Sequence, residues 1–272
     1  MKTIVITGSS SGIGQETSLY FANKGYKVLA TARNIEKAKT SLEHPNIKLY
    51  QMDVASIDSI QACYKQIMAE NSTIDVLLNN AGYGLLSPFE LSSSNAIMQM
   101  FQTNVFGVME VIRAFLPTLK KQKSGLIMAV TSIGGLTTMP LNSVYHGTKY
   151  AVEGFCEGLS YELKDWGIDV KLIEPGGVST NFASVALGDT KDYGDYQEMV
   201  NSTMDHFQQS RAIEGNYSSA EEVAKEIYEA SQDESGKMHY VIGNGAKNLL
   251  NMKRTMPEAE YFVALRKAFF NK

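Results

Sequence analysis

Cysteine is nearly absent. Cys63 and Cys156, the two in 272 residues, stand 93 positions apart and neither belongs to a CxxC pair. Neither a disulfide framework nor a zinc ribbon is suggested, no metal is expected, and the chain reads as cytoplasmic. Charge of one sign is missing too: 25 Lys and Arg against 29 Asp and Glu leave a formal charge of −4. That offers no general attraction to nucleic acid or to an anionic membrane, so neither is expected as a partner and a small molecule is. Long hydrophobic runs are lacking as well. After its lysine the start, Met1 to Thr7, has three consecutive apolar residues, far short of the ~7 to 15 of a signal-peptide core, and no export is expected. The longest uncharged stretch, Ser124 to Thr148, carries four glycines, Pro140 and Asn142. A membrane span needs ~20 mainly apolar residues, so none is expected.

What the chain does have is enough apolar content, 44% against 20% charged, for a substantial core. β-rich runs at Thr3 to Thr7, Lys27 to Ala32, Ile47 to Met52, Asp75 to Asn79, Gly125 to Thr131, Ile168 to Glu174 and His239 to Ile242 are separated by helical patterns. Parallel strands cannot be joined by hairpins, so this alternation predicts an α/β fold, a doubly wound parallel sheet of about seven strands with helices on both faces. There is no linker, repeat or low-complexity tract. Asp189 to Ile213 is polar and expected to be irregular, an insertion over the sheet. The expected organisation is one dinucleotide-binding domain, 1–272, with a substrate-loop insertion at about 183–215 and a C-terminal helical extension at about 244–272. Phe262, Leu265, Phe269 and Phe270 recur in that extension at helical spacing, the pattern of core or subunit contact.

The first strand runs into Thr7-Gly8-Ser9-Ser10-Ser11-Gly12-Ile13-Gly14 and then a helical pattern. Glycines let a backbone approach a pyrophosphate that would collide with a Cβ, amides at a helix start face the anion, and serine hydroxyls add hydrogen bonds. Gly8, Ser10, Ser11, Gly12, Ile13 and Gly14 are therefore candidate cofactor residues, although a glycine turn alone can be only a tight loop. The second strand ends in Ala32-Arg33, where an acidic residue would grip ribose hydroxyls. Arg33 suits an extra 2′-phosphate, favouring NADP (NADPH) over NAD, unless it is merely a solvated arginine.

Tyr145 and Lys149 stand four apart, on one face of a helix. Tyr20 and Lys24 do the same, so the pair gains meaning only from its company. Thirteen residues before Tyr145 a strand runs out into Ser132, at the sheet edge where open α/β folds bind ligands. Asn79-Asn80-Ala81-Gly82 ends another strand, Asn104 lies between these two strands, and Pro175-Gly176-Gly177-Val178-Ser179-Thr180 ends the sixth. In this order the pieces resemble the classical short-chain dehydrogenase/reductase family in its NADP-preferring form: TGxxxGIG at Thr7 to Gly14, NNAG at Asn79 to Gly82, then Asn104, Ser132, Tyr145 with Lys149, and Pro175-Gly176. The stretch from Ser132 to Phe182 looks most like the branch of 17β-hydroxysteroid and retinol dehydrogenases. His146-Gly147-Thr148 departs from the usual x-Ala-Ser, and His146 is expected as an exposed helix residue.

The resemblance implies a Rossmann-type sheet and a catalytic set of Asn104, Ser132, Tyr145 and Lys149. Tyr145 would be the general acid/base, Lys149 would favour its phenolate and bond the nicotinamide ribose, Ser132 would orient the carbonyl, and Asn104 would hold a relay water. Ser132 and Tyr145 would thus touch substrate. It further implies cofactor contacts at Asp53, Val54, Asn80, Ala81, Gly82, Pro175, Gly176, Val178 and Thr180, with helix capping as a competing role for Asp53. Val178, Phe182, Val185, Ala186 and Leu187 would line an apolar pocket for a ketone, aldehyde or secondary alcohol, or else pack as ordinary loop residues. A homodimer or homotetramer is implied, through the helix of Gly147, Ala151, Gly154 and Gly158 and the one before the fifth strand. The competing function is a catalytically silent NADP-binding regulatory scaffold.

Overall fold

The computed structural model describes residues 1–180 and 192–270. Phe182, Val185, Ala186 and Leu187, and the first part of the expected insertion, lie outside the described residues. Nine strands alternate with helices among those described: β1 Thr3–Ile6, α1 Gly12–Asn23, β2 Lys27–Ala32, α2 Ile35–Lys39, β3 Ile47–Gln51, α3 Ile57–Glu70, β4 Val76–Asn79, α4 Ser94–Phe101, α5 Gly107–Gln122, β5 Gly125–Val130, α6 Ser143–Leu163, β6 Ile168–Pro175, β7 Gly177–Val178, α7 Gln197–Ala212, β8 Tyr217–Ser218, α8 Ala220–Gln232, β9 His239–Ile242, α9 Asn244–Thr255 and α10 Glu258–Phe270.

Seven strands form one all-parallel sheet in the order β3-β2-β1-β4-β5-β6-β9. These are the seven runs read from the sequence. Strands covered on both faces must be apolar throughout, and β1 and β4 are buried at every residue. Alternate residues still part company: Val5 and Leu77 pack under α3, α5 and α6, while Ile4, Ile6, Val76 and Leu78 pack under α1, α2 and α8. The order reverses at β1, which has β2 on one side and β4 on the other, so the crevice opens above the carboxyl ends of β1 and β4.

Local signals place the elements. Asn34, Ser56, Ser93 and Ser219 cap their helices through side-chain oxygens, the last in a reciprocal capping box with Glu222. Two features differ from expectation. The described part of the polar segment is ordered as α7, which lays Val200 and Thr203 inward and whose His206 and Phe207 meet Phe269 of α10. A second parallel sheet, β7 with β8, is two residues per strand, too short to leave a period in the sequence.

Candidate active site

The glycine turn closes against the end of β4. Gly8 has φ +72°, and a Cβ there would stand 2.8 Å from the Ala81 backbone. A Cβ on Gly14 would stand 2.4 Å from both Asn80 Nδ2 and the Gly8 carbonyl. Only glycine leaves room for these backbones to meet. Thr7 fastens the junction: its hydroxyl accepts from the Asn80 and Ala81 amides at 2.9 and 3.0 Å, and Asn80 Nδ2 donates to the Thr7 and Gly8 carbonyls. The Asn80 amide group is thus spent on shaping the loop. Ser10 and Ser11 are exposed, and Ser11 starts α1 without capping it, so the first-turn amides are left for an anion. Gly12 and Ile13 lie in that turn, and a Cβ on Gly12 would stand 3.4 Å from Thr180 Cγ2. This cradle fits a dinucleotide pyrophosphate.

Arg33 projects into solvent from the end of β2 and forms no ion pair among the described residues. Burial pushes the half-buried Tyr83 phenol up, and the Arg33 charge opposes it. Asp53 makes an Asx turn, its Oδ1 accepting from Ala55 at 3.0 Å, and Ser56 rather than Asp53 caps α3. Val54 is buried against Gly107. Gly176 donates to the Ile242 carbonyl at 3.0 Å, which ties the Pro175-Gly176 turn to β9, and Val178 lies half-buried in β7.

Across the crevice β5 delivers Ser132 in extended backbone, its Oγ accepting from the Gly134 amide at 3.0 Å. Ser132 and Tyr145 share a hydrogen bond. Burial pushes the Tyr145 phenol up to about 12, opposed by that bond. Lys149 is 7% exposed and its ammonium donates to the Val130 carbonyl at 3.1 Å, standing 5.7 Å from the centre of the Tyr145 ring. Burial pulls it down to about 8. The two therefore share a face of α6. Gly82 completes the wall: a Cβ there would sit 3.8 Å from the lysine nitrogen.

Asn104 occupies a π-helical turn, Gln102–Phe106, between α4 and α5, and is 1% exposed. Its amide accepts from Tyr83 N at 3.0 Å, donates to Tyr83 O at 2.8 Å and donates to Thr148 Oγ1 at 3.1 Å. The Asn104 side chain thus clasps the loop after β4 to the helix of Tyr145 and Lys149. π-Turns inside helices are frequent at functional sites.

Sequence reasoning passed over several of these parts. Thr148 was legible only as a departure, yet its hydroxyl takes the Asn104 bond and donates to the Tyr145 carbonyl at 2.7 Å, work for which the hydroxyl it shares with serine suffices. Tyr83 and the Val130 carbonyl act through backbone atoms, which leave no residue signature. His146 corrects the expectation of an exposed residue: it is 2% exposed, wedged against Gly134, with Nδ1 accepting from Met139 N at 3.4 Å, and burial pulls it down to about 4. A neutral ring is the form that tolerates this desolvation.

Comparison with known proteins fits this geometry. The family model described as short chain dehydrogenase matches residues 2–191. Human retinol dehydrogenase 8 is 39% identical over 196 residues, 68% of this chain and 62% of that protein. Human 17-beta-hydroxysteroid dehydrogenase type 1 is 31% identical over 98% of this chain and 85% of its own length. The crystal structure of a short-chain dehydrogenase from Streptomyces avermitilis superposes with a TM-score of 0.84 at 28% identity, covering 96% of each chain. The chain is an oxidoreductase of the short-chain dehydrogenase family.

Proposed function

We propose that the chain is an NADP(H)-dependent oxidoreductase that interconverts a hydrophobic ketone or aldehyde and the corresponding alcohol. The observation that carries this reading is the Ser132–Tyr145 hydrogen bond set before a buried lysine, at the sheet edge beside a glycine cradle. A catalytically silent binder has no need of that bond. When bound, the nicotinamide supplies or accepts the hydride. Held as a phenol by burial, Tyr145 is ready to give its proton to a carbonyl oxygen during reduction, and Ser132 fixes that oxygen within reach. In the reverse direction Tyr145 must lose the proton, and the Lys149 ammonium behind it favours the phenolate. Asn104 and Thr148 hold the two walls at a fixed spacing, and a relay water at Asn104 remains part of the proposal.

Arg33 supports the choice of cofactor: it is exposed at the end of β2, forms no ion pair among the described residues, and has bidentate capacity for a 2′-phosphate. The names of the two human relatives, a hydroxysteroid and a retinol enzyme, support an apolar alcohol or carbonyl as substrate class. A homodimer or homotetramer through α5 and α6 is supported by the outward face of α6, where Cβ atoms on Gly154 and Gly158 would meet nothing within 4 Å. Free, buried Cys63 and Cys156 accord with a cytoplasmic setting, and no helix among the described residues is long and apolar enough to cross a membrane.

The test is Tyr145→Phe. Ketone-dependent oxidation of NADPH should fall by about 10²- to 10⁴-fold, the usual worth of general acid/base catalysis, while NADPH still raises the melting temperature. Undiminished turnover would overturn the reading.

A further inference from the structure

In α9, Ala246, Leu249, Leu250 and Lys253 stand at i, i+3, i+4 and i+7, on one face of the helix. Ala246 and Leu250 are buried in a small apolar cluster with Ile133, against which Leu136, Val241 and Leu249 pack. Ile133 and Leu136 belong to the turn that follows Ser132, so this face of α9 lies on that turn. Its start also meets the Pro175-Gly176 turn, where a Cβ on Gly176 would stand 2.9 Å from Ala246 Cβ. Lys253, at the far end of the face, is exposed, yet its ammonium has two definite partners. It donates to the Leu136 carbonyl at 2.6 Å and to the Tyr150 hydroxyl at 2.8 Å, and it forms no ion pair among the described residues. Tyr150 is the next residue after Lys149 on α6.

The turn is tightly wound on itself. Ser132 Oγ accepts from the Gly134 amide at 3.0 Å, the Gly135 amide donates to the Ser132 carbonyl at 2.8 Å, and the Leu136 and Thr137 amides donate to the Ile133 carbonyl at 3.0 and 2.8 Å. A displacement of Leu136 is therefore passed back to Ser132 within one short ring of bonds. On the inner side the turn rests on α6, where a Cβ on Gly135 would stand 3.3 Å from the Lys149 backbone carbon and 2.8 Å from Glu153 Cγ. Below that contact the buried Glu153 faces His239, whose Nδ1 lies 3.7 Å from Glu153 Oε2 and 2.5 Å from Glu174 Oε1. The floor of the turn is thus polar, and the apolar cluster that Ile133 and Leu136 join is built with α9 and β9.

We propose that Lys253 is a positioning residue: by joining the Leu136 carbonyl to the Tyr150 hydroxyl, its ammonium sets the turn of Ser132 against the helix of Tyr145 and Lys149. The proposal rests on the reading of Ser132 and Tyr145 given above and adds to it a residue from the C-terminal extension. Lys253 bonds Leu136 and Tyr150, so it acts through Ser132 and not on the reacting atoms. An ammonium on a flexible stem has three donors and can serve a carbonyl and a phenol at once. Both bonds lie at the surface, where water replaces them at small net cost, so their loss hardly changes stability. What it removes is a constraint on distance, and a misplacement of about 1 Å in a positioning group can cost a rate as much as about 10²-fold.

Lys253→Met keeps the apolar stem and removes the donors, whereas Lys253→Arg keeps donors. The first readout is hydrogen exchange of the Gly134 amide, the donor to Ser132 Oγ, followed by NMR in ligand-free protein and so independent of turnover. Exchange should be about 3- to 10-fold faster in Lys253→Met, as local opening becomes easier, and should return to the wild-type rate in Lys253→Arg. The second readout is carbonyl reduction: kcat should fall by about 3- to 10-fold in Lys253→Met, with KM for NADPH and the unfolding midpoint near wild type, and recover in Lys253→Arg. Unchanged Gly134 exchange or unchanged kcat in Lys253→Met overturns the proposal. So does a loss that Lys253→Arg fails to restore, or one accompanied by a lower unfolding midpoint and weaker NADPH binding, as a packing defect would give. If Lys253→Met does not fold, Tyr150→Phe decides: it removes one acceptor and leaves α9 intact, faster Gly134 exchange supports the proposal, and an unchanged rate sinks it. Activity of Tyr145→Phe tests the underlying reading separately.

Discussion

The two walls of the crevice are built on different physics. The wall at β1 and β4 works through backbone: glycines at 8 and 14 let chain approach chain, Thr7 and Asn80 spend their side chains on main-chain atoms, and what faces the crevice is a set of amides. The wall at β5 and α6 works through buried titratable side chains, with Tyr145 held as a phenol, Lys149 drawn toward neutrality and a carboxyl pair behind them. The first wall needs space and fixed dipoles. The second needs protons to be movable near neutral pH. One should therefore fail by steric insult and the other by subtle loss of charge or hydrogen bonding.

Gly14→Ala breaks the first wall most severely. Its new methyl would stand 2.4 Å from Asn80 Nδ2 and from the Gly8 carbonyl, a backbone atom with nowhere to go. Loss of all measurable thermal stabilisation by NADPH, together with destabilisation of about 1 to 3 kcal/mol from overpacking, is expected in calorimetry with and without cofactor. Wild-type cofactor response in this variant would show that the turn is an ordinary tight loop.

Thr148→Val tests the second wall by a matched change of shape. It removes the acceptor for Asn104 Nδ2 and the donor to the Tyr145 carbonyl, leaving a buried amide hydrogen unpaired, at a cost of about 1 to 3 kcal/mol. Because the clasp at Tyr83 would loosen as well, kcat is expected to fall more than KM rises, with Thr148→Ser restoring both. Equal unfolding midpoints for Val and wild type would mean that Asn104 does not need its helix-side bond.

These two substitutions also mark what could be read without coordinates. Gly14 was legible because a glycine turn directly after a strand has few uses, and the seven sheet strands because parallel strands buried on both faces keep an apolar run. Tyr145, Lys149 and Ser132 were legible through order along the chain rather than through spacing, which Tyr20 and Lys24 reproduce. The motif order points to Asn104 and Asn80 but not to what their amides bond, since side chain to backbone bonding depends on where distant loops come to rest. Glu153, Glu174 and His239 gave no signal at all: Glu174 and His239 lie 65 positions apart and meet through the β6–β9 pairing, and Glu153 reaches them from α6. His146 was misread because α6 is buried on more of its circumference than its modest amphipathic pattern suggests.

Arg33→Ala gives a smaller, purely electrostatic perturbation of the first wall. Losing one charge-assisted contact with a 2′-phosphate is worth about 1.5 to 3 kcal/mol, so the preference for NADPH over NADH should shrink by roughly 10- to 100-fold in paired thermal-shift or binding titrations. NADH binding itself should hardly change. Equal weakening toward both cofactors would place Arg33 on a group the two share.

The mildest change asks whether the second wall is complete within one chain. Gly158 lies in the interior of α6 on a face where an added methyl meets nothing within 4 Å. In an isolated helix surface Gly158→Ala should stabilise by about 0.5 to 1 kcal/mol, because alanine loses less backbone freedom on folding. If α6 of a second copy packs against this face, the same methyl intrudes on a close helix–helix contact, and the gain turns into a concentration-dependent loss. Unfolding midpoints measured over a hundredfold range of protein concentration, with light scattering at each end, separate the two cases. A dimer or tetramer that is weakened by Gly158→Ala would mean that the helix carrying Tyr145, Lys149 and Glu153 is braced from outside, and that the wall built on proton-bearing side chains depends on association while the glycine wall does not.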